Sequence, residues 1–205
     1  MSVGHMDFGL EAAPEVLSLP PAKQRGGKPL LEALKDRRST REFSDQALPV
    51  EVLSNLLWAA FGINRSETRG RTAPSSHDWE EIDLYVALES GLFVYDPDYH
   101  LLRNRLARDV RAQTGVQPFV AEAPANLVYV ADLSRMTQAS PQELAQYPGP
   151  DAGFIAQNVY LFCAAEGLAT VVRGMVDRPA LAALMGLSSR QQIILAQSVG
   201  YPKAL

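Results

Sequence analysis

The chain has 205 residues and a mass of 22.4 kDa, which favours a single domain that buries its own core. A net charge of −4 argues against nucleic acid and anionic membranes as partners, and one cysteine excludes an intrachain disulfide or a cysteine-based zinc site. The three histidines lack metal-ligand spacing, and no apolar run has the length of a membrane span. We therefore expect no metal site, no nucleic acid and no membrane contact.

The first part of the chain is predicted to be an arm followed by two helices. Residues 1–28 are rich in proline and glycine and should form an irregular arm, which either lies against a partner subunit or is a disordered tail. The domain proper is predicted over 29–205. Leucines at helical spacing predict a helix over about 30–38, and an apolar face after Pro49 predicts a second helix that stops at Gly62.

The middle of the chain is predicted to hold a loop, a hairpin and a helix. Residues 62–81 are polar and form a long loop, a kind of segment that is often functional. Apolar runs at 82–88 and 92–95 predict two strands of a hairpin. Around 101–112, charged residues are interspersed with leucines, which predicts an amphipathic helix.

The last part of the chain alternates strands and helices. Residues 125–131 are the most strand-like segment and should lie inside the sheet. A long helix from Asp151 to about Glu166 has hardly any polar face, so it should be buried in the core or in a dimer interface. The remaining predicted elements are a short helix near 141–146, a strand at 168–172, a helix at 178–184 and a strand at 192–199. This order indicates an α+β fold in which a mixed sheet is flanked by helices.

The segment Arg37-Arg38-Ser39-Thr40-Arg41-Glu42-Phe43 is the clearest candidate site. It carries three guanidinium groups within five residues. Each guanidinium is a planar fork of donors that matches phosphate or carboxylate oxygens. The alternative is a solvated helix end whose basic residues complement the helix dipole.

The usual catalytic motifs are absent from the sequence. It contains no G-x-S-x-G, H-E-x-x-H, G-x-G-x-x-G or P-loop pattern. His77 stands beside Asp78, but no serine completes a triad with them. An anion site with few acid–base groups suits a protein whose cofactor performs the chemistry.

Four segments, taken in order, resemble the FMN-dependent nitroreductase superfamily, in the branch that includes the thiazole/oxazole-forming dehydrogenase-like proteins. They span about residues 29–203. The four segments are Arg37–Phe43, Ala73–Trp79, the stretch Asp151-x-Gly153 with Gln157-Asn158 and Gly167-Leu168, and the closing Gly200-Tyr201-Pro202. The resemblance implies a nitroreductase-like, mainly antiparallel sheet flanked by helices in an interlocked homodimer, with two FMN molecules at the subunit interface.

The resemblance also implies which residues bind FMN. Arg37, Ser39 and Arg41 would hold the phosphate and the pyrimidine edge of the flavin, with Arg38 close by. Gly174 would offer its backbone N–H near flavin N5, with Arg173 beside it. The residues expected to reach the flavin from the partner subunit are Pro74, Ser75, Ser76 and Asp78.

Three positions depart from the family pattern. Asp78 stands where asparagine is common, and an ionised carboxylate cannot donate a hydrogen bond. The sequence ends soon after Pro202, which leaves Lys203 as the candidate for the basic residues that follow in many relatives. Arg173 occupies a position that is often acidic, which would alter donor or substrate preference.

The resemblance implies an oxidoreductase in which NAD(P)H reduces FMN and a small acceptor, such as a nitroaromatic or a quinone, then takes the electrons. The alternatives are a flavin-binding sensor or carrier with little turnover, a flavin dehydrogenase acting on an unknown substrate, and a non-flavin anion-binding module. Residues 1–10 lack the pattern of a signal peptide. We therefore expect a cytoplasmic protein, with the periplasm as the alternative if a natural leader has been removed.

Overall fold

A seven-stranded sheet organises the fold. The computed structural model describes residues 14–203, and the strand order in its main sheet is β1-β6-β5-β4-β7-β9-β8, with every neighbouring pair antiparallel. The strands of this sheet are β1 (Val16–Ser18), β4 (Ile82–Leu88), β5 (Gly91–Asp96), β6 (Leu101–Leu106), β7 (Ala125–Asp132), β8 (Ala169–Arg173) and β9 (Gln191–Gly200). A separate small hairpin consists of β2 (Ile63–Arg65) and β3 (Gly70–Arg71).

Helices cover both faces of the sheet. They are α1 (Leu30–Asp36), α2 (Val50–Phe61), α3 (Phe119–Glu122), α4 (Pro141–Gln146), α5 (Pro148–Glu166) and α6 (Arg178–Met185), and two short 3₁₀ turns lie at Ser76–Asp78 and Arg111–Thr114. The central strand β7 shows why both faces are covered. Its Leu127 and Tyr129 pack with α2 and α5, whereas Val128 and Val130 pack with α6, and all four side chains are fully buried.

The α+β prediction is confirmed, and most predicted elements lie within a few residues of the observed ones. Gly62 ends α2 as predicted, and Gly167 ends α5 in the left-handed conformation that glycine favours. The long helix begins at Pro148, three residues before the predicted Asp151, because proline is well tolerated at the first helical position.

Three predictions differ from the structure. The long loop predicted over 62–81 contains the β2–β3 hairpin and a 3₁₀ turn, because Ile63 and Arg65 pair with Arg71 and Gly70. The predicted helix over 101–112 is wrong, because β6 and a 3₁₀ turn occupy this stretch. Part of the predicted arm lies outside the described residues, but Val16–Ser18 form an edge strand that pairs with β6 and so are not irregular. The boundary between an arm and a domain stays a prediction.

The outward side of α1 and α5 is apolar although it faces solvent in the single chain. Leu30 and Leu31 of α1 are 62% and 79% exposed, and Phe154 of α5 is 48% exposed. The inward face of α5, in contrast, is closed against the sheet. Among residues 14–203, no helix is long and apolar enough to cross a membrane.

Candidate functional site

The arginine segment, residues 37–43, leaves α1 as an extended strand-like chain docked beside the sheet. Helix α1 ends because Arg37 already has an extended ψ of 120°. The backbone N–H of Thr40 then donates to the carbonyl of Thr170 on β8, at 2.9 Å. Phe43 is buried and forms an isolated β-bridge with Pro202. These contacts hold the segment between the edge of β8 and Pro202.

Tyr160 of α5 holds the start of this segment. Its hydroxyl shares a hydrogen bond of 2.8 Å with the Ser39 hydroxyl, and the Arg37 guanidinium lies 5.3 Å from the centre of its ring. The same hydroxyl accepts the backbone N–H of Val172 on β8, at 2.9 Å. Tyr160 therefore ties the arginine segment, α5 and β8 together through one side chain.

The arginine segment presents its positive charges to solvent. Arg38, Ser39 and Arg41 are exposed, and within the described part of the chain none of the three arginines forms an ion pair with a carboxylate. The Lys203 backbone N–H donates to the carbonyl of Glu42 at 3.3 Å, which brings the last basic residue next to the segment. The combination of free guanidinium groups and a hydroxyl is a donor set suited to a phosphate.

Strand β8 is an edge strand, so alternate residues direct backbone groups away from the sheet. The carbonyl of Thr170 is taken by Thr40, and the N–H of Val172 is taken by Tyr160. The next residue in this alternation is Gly174, whose N–H has no acceptor among residues 14–203. A free backbone donor thus follows the arginine segment along the same edge, about 7 Å beyond Val172.

The Arg173 side chain lies on the face of the sheet opposite to α5. Its guanidinium donates to the Thr114 carbonyl at 2.8 Å and to the Asn126 side-chain oxygen at 3.1 Å, and burial lowers the pKa of Arg173 to about 10. Gly115 makes room for it, because a Cβ there would lie 2.0 Å from an Arg173 nitrogen. Arg173 as a flavin contact stays a prediction, while Gly174 is exposed on the edge.

The second predicted region is the loop from Pro74 to Asp78, which is anchored by two buried carboxyl groups. Asp151, at the start of α5, accepts the Ser76 backbone N–H at 2.7 Å and the Ser76 hydroxyl at 3.0 Å. Ser75 donates to Glu81 at 3.3 Å. Both carboxyl groups are almost completely buried, with exposures of 1% for Asp151 and 0% for Glu81.

The tip of this loop has an unusual backbone. His77, Asp78 and Glu80 have φ values of +53°, +52° and +46°, in the left-handed region that side chains rarely adopt. The Trp79 ring between them packs against His77 and Tyr147, with centroid distances of 4.5 and 6.0 Å. The Asp78 side chain is exposed. Hydrogen bonds and ring packing therefore hold a strained loop in a defined shape.

The two candidate regions do not meet within one subunit. Ser76 is bound to Asp151 and Ser39 is bound to Tyr160, nine residues further along α5. Nine helical residues correspond to about 14 Å along the helix axis. The arginine segment and the Pro74–Asp78 loop are thus attached to different parts of the same helix.

Comparison with known proteins identifies the chain. The sequence model described as the Nitroreductase family matches residues 34–201, which is most of the chain. The chain belongs to the Nitroreductase family. This assignment confirms the superfamily that the four sequence segments resemble and makes the chain an oxidoreductase of the nitroreductase type.

Individual nitroreductase relatives agree with this assignment. A nitroreductase-like protein of Methanocaldococcus jannaschii is 32% identical over 156 residues, covering 71% of this chain and 78% of the relative. The crystal structure of a nitroreductase-like protein from Ralstonia eutropha JMP134 is 44% identical with a TM-score of 0.91, covering 96% of this chain and 93% of that one. The NADPH:FMN oxidoreductase of Vibrio harveyi, solved with NAD⁺, shares the fold with a TM-score of 0.65 at 22% identity, over 85% of this chain and 69% of that one.

Sequence reasoning did not find several contacts that hold the candidate site in place. Tyr160 lies in an apolar helical run and has no motif of its own. Glu81 precedes a strand, and it meets the loop only through folding, as does Asp151, which is 75 residues from Ser76 in sequence. The sequence shows hydroxyl and carboxyl residues clustered after Pro74, but it does not show which of them bind one another.

Proposed function

We propose that the chain is an FMN-dependent oxidoreductase that works as a homodimer, with FMN bound at the subunit interface. The observation that carries the proposal is the arginine segment docked on the β8 edge, unpaired with carboxylates and followed by the free N–H of Gly174. A phosphate requires clustered cationic and hydroxyl donors, and a flavin ring requires a backbone donor beyond them. These residues fit FMN in both respects.

Each donor has a distinct task in this proposal. Arg37, Ser39 and Arg41 bind the phosphate and the pyrimidine edge, and Arg38 adds positive charge close by. Gly174 donates its N–H toward flavin N5. Lys203 is a further basic residue. The hydrogen bond from its backbone N–H to the Glu42 carbonyl keeps it beside the segment.

The partner subunit supplies the other side of the site. Pro74, Ser75, Ser76 and Asp78 reach the flavin from the partner, as the resemblance implies. The separation of the two regions supports this proposal, since the loop and the arginine segment of one subunit are anchored about 14 Å apart along α5 and are not neighbours. A site made from two chains resolves this separation.

The apolar outer surface of α1 and α5 supports dimerisation. Large side chains there face solvent in the single chain, and a second copy of the chain would cover them: Leu30, Leu31, Leu34 and Phe154. Exposed leucines in this number on adjoining helices are typical of a buried interface in homodimers.

The chemistry is divided between the cofactor and the chain. FMN, when bound, accepts a hydride from NAD(P)H and passes electrons to a small acceptor such as a nitroaromatic or a quinone. The arginine segment places positive charge beside the pyrimidine edge, where it stabilises added negative charge. The protein otherwise contributes position, since Gly174 and the partner loop fix the ring relative to the incoming substrate.

A visible spectrum and an anaerobic titration test this function. The purified protein is expected to be yellow or to take up FMN, to run as a dimer in size-exclusion chromatography with light scattering, and to be bleached by NADH or NADPH. A protein that is colourless after incubation with FMN and removal of the unbound cofactor would overturn the proposal. Bound FMN that neither nicotinamide bleaches would instead favour a flavin-binding protein with little turnover, or a dehydrogenase reduced by another substrate.

A further inference from the structure

The two carboxyl groups beneath the Pro74–Asp78 loop form an unusual buried pair. Glu81 and Asp151 hold adjacent serines, Ser75 and Ser76, so the carboxyl groups lie side by side. Neither carboxyl group forms an ion pair within the described part of the chain. Two neighbouring carboxylates without a cation cannot both keep their charge in a site closed to water.

The charged side chains of the neighbouring segments pair with groups other than Glu81 and Asp151, although Nε and Nη1 of Arg71 have no hydrogen-bond partner among residues 14–203. On the loop, His77 faces Glu143, and on β3 Arg71 pairs with Glu80 at 2.6 Å. After β7, Arg135 pairs with Asp83 on β4 and lies 3.9 Å from Asp132. No cation therefore compensates a second negative charge at Glu81.

The surroundings determine which of the two groups keeps its charge. Asp151 lies in the first turn of α5, where the helix dipole favours a negative charge, and it accepts two hydrogen bonds from Ser76. One oxygen of Glu81, in contrast, has no partner, and burial, followed by the nearby Asp151 charge, raises the pKa of Glu81 above its ordinary value of 4.5. The proton belongs on Glu81.

We propose that Glu81 holds a proton beside ionised Asp151 and that this pair positions the Pro74–Ser76 loop for the flavin of the partner subunit. Asp151 fixes the Ser76 backbone, and protonated Glu81 supports Ser75 without repelling Asp151. Loss of the Glu81 proton places two negative charges under a loop whose next residues are already strained. The loop then loses its fixed shape as the pH rises through the raised pKa of Glu81. The positioning role rests on the proposed function, whereas the buried proton does not.

The sign of the pH dependence follows from the raised pKa. Above pH 4.5 the unfolded chain releases the Glu81 proton while the folded chain keeps it, so stability falls as the pH rises toward the raised pKa. Glu81→Gln keeps the size and the polar contacts of a neutral side chain and removes this titration. Glu89→Gln, at an exposed turn, is the matched control for a lost carboxylate.

The first experiment uses the protein without flavin. The melting temperature of Glu81→Gln relative to wild type should increase as the pH rises from 4.5 through the raised pKa of Glu81, by about 3–5 °C for each unit by which the pKa is raised, and should level off above it. Glu89→Gln should follow wild type, and infrared difference spectra recorded across a pH titration should show a carboxylic acid band in wild type that persists above the ordinary pKa of 4.5 and that Glu81→Gln lacks. A melting-temperature difference that does not change with pH, with no such acid band, would overturn the buried proton.

The second experiment follows the loop directly. Trp79 packs against His77 at the loop tip, and Trp58 is the other of the two tryptophans, so a Trp58→Phe background makes fluorescence report on the loop. Trp79 emission should shift to longer wavelength as the pH rises, and Glu81→Gln should abolish the shift. An unchanged emission maximum across the pH range would overturn the positioning role.

FMN binding completes the test. The ratio of the FMN dissociation constants of wild type and Glu81→Gln should grow as the pH rises through the raised pKa of Glu81, since the flavin phosphate titrates alike in both. A constant ratio would contradict the positioning role. Absence of FMN binding in wild type at every pH would contradict the proposed function, and the flavin-free measurements would still decide the buried proton.

Discussion

Two arginine-rich regions of the molecule use the same side chain in opposite ways. In the arginine segment, Arg37, Arg38 and Arg41 have no carboxylate partner within the described residues. In the second region, four arginines line a cavity of about 280 Å³; three of them are paired with an acid, whereas Arg105 forms no ion pair within residues 14–203. These pairs are Arg71 with Glu80 at 2.6 Å, Arg103 with Asp96 at 2.7 Å and Arg135 with Asp83 at 2.5 Å.

The comparison shows that partners, and not arginine content, distinguish an anion site from a structural network. A guanidinium that already faces a carboxylate has little left for a ligand phosphate. Both regions are basic in sequence, and the loop 62–81 holds as many arginines as the segment 37–43. The difference lies in carboxylates that the fold brings near: Asp83 and Asp96 come from β4 and β5, and Glu80 comes from the loop that also holds Arg71.

The largest expected effect is the loss of FMN affinity in Arg37→Ala. Removing a charge-assisted hydrogen bond costs about 1.5–3 kcal/mol, which corresponds to a roughly 10–150-fold rise in the dissociation constant. Fluorescence titration of FMN measures it, with Arg103→Ala as the matched control. Equal affinities of Arg37→Ala and wild type would remove the distinction between the two regions.

Tyr160→Phe should weaken FMN binding less. The variant keeps the ring under Arg37 but loses the hydroxyl that holds Ser39 and the Val172 N–H. A neutral hydrogen bond contributes about 0.5–1.5 kcal/mol, so we expect a roughly 2–10-fold loss of affinity. The control is Tyr147→Phe, whose hydroxyl makes no hydrogen bond within residues 14–203. An equal loss in both variants would mean that Tyr160 does not organise the segment.

Arg38→Ala should have a smaller effect that depends on salt. Arg38 is exposed, and screened charge pairs of this kind contribute about 0.2–1 kcal/mol. We expect FMN affinity to fall by about two- to fivefold at low ionic strength and to approach that of wild type at high salt. Titrations at two salt concentrations measure this, and a loss that salt does not reduce would indicate a direct, buried contact.

The smallest expected effect belongs to the paired region. Arg103→Ala breaks an ion pair with Asp96 in which the arginine side chain is 45% exposed, and should lower the free energy of unfolding by about 1 kcal/mol. FMN affinity should not change. Urea denaturation and an FMN titration on the same sample test both statements, and a clear loss of FMN affinity would show that the cavity region also serves the cofactor.

The sequence predicts most of the fold because apolar periodicity is strong in β7, α2 and α5. It fails at 101–106, where Leu102 and Leu106 are four residues apart, a spacing that fits a helix and alternate positions of a strand equally well. Pairing with β5 and β1 decides for the strand. Local pattern cannot contain that information, because the pairing partners lie elsewhere in the chain.

The candidate site, like the fold, is only partly predictable from the sequence. The arginine segment is visible in sequence because its residues are contiguous, and the structure adds what holds it, Tyr160 and the edge of β8. The buried pair of Glu81 and Asp151 could not be predicted, since Glu81 has no motif and the motif that contains Asp151 does not show that it meets Glu81. The sequence also does not show which way a side chain points. Arg173 is next to Gly174 in sequence, but its side chain is buried against Thr114, whereas Gly174 lies on the exposed edge.

The covered edge of β8 also bears on solubility. An open strand edge is a template on which another chain can add a strand, and natural proteins protect such edges with charge and with covering segments. Thr40 and Tyr160 occupy two of the outward backbone groups of β8, and the arginines surround them with positive charge. The arginine segment therefore also protects the sheet from edge-to-edge aggregation. Its removal would expose the β8 edge and promote aggregation even in the absence of cofactor.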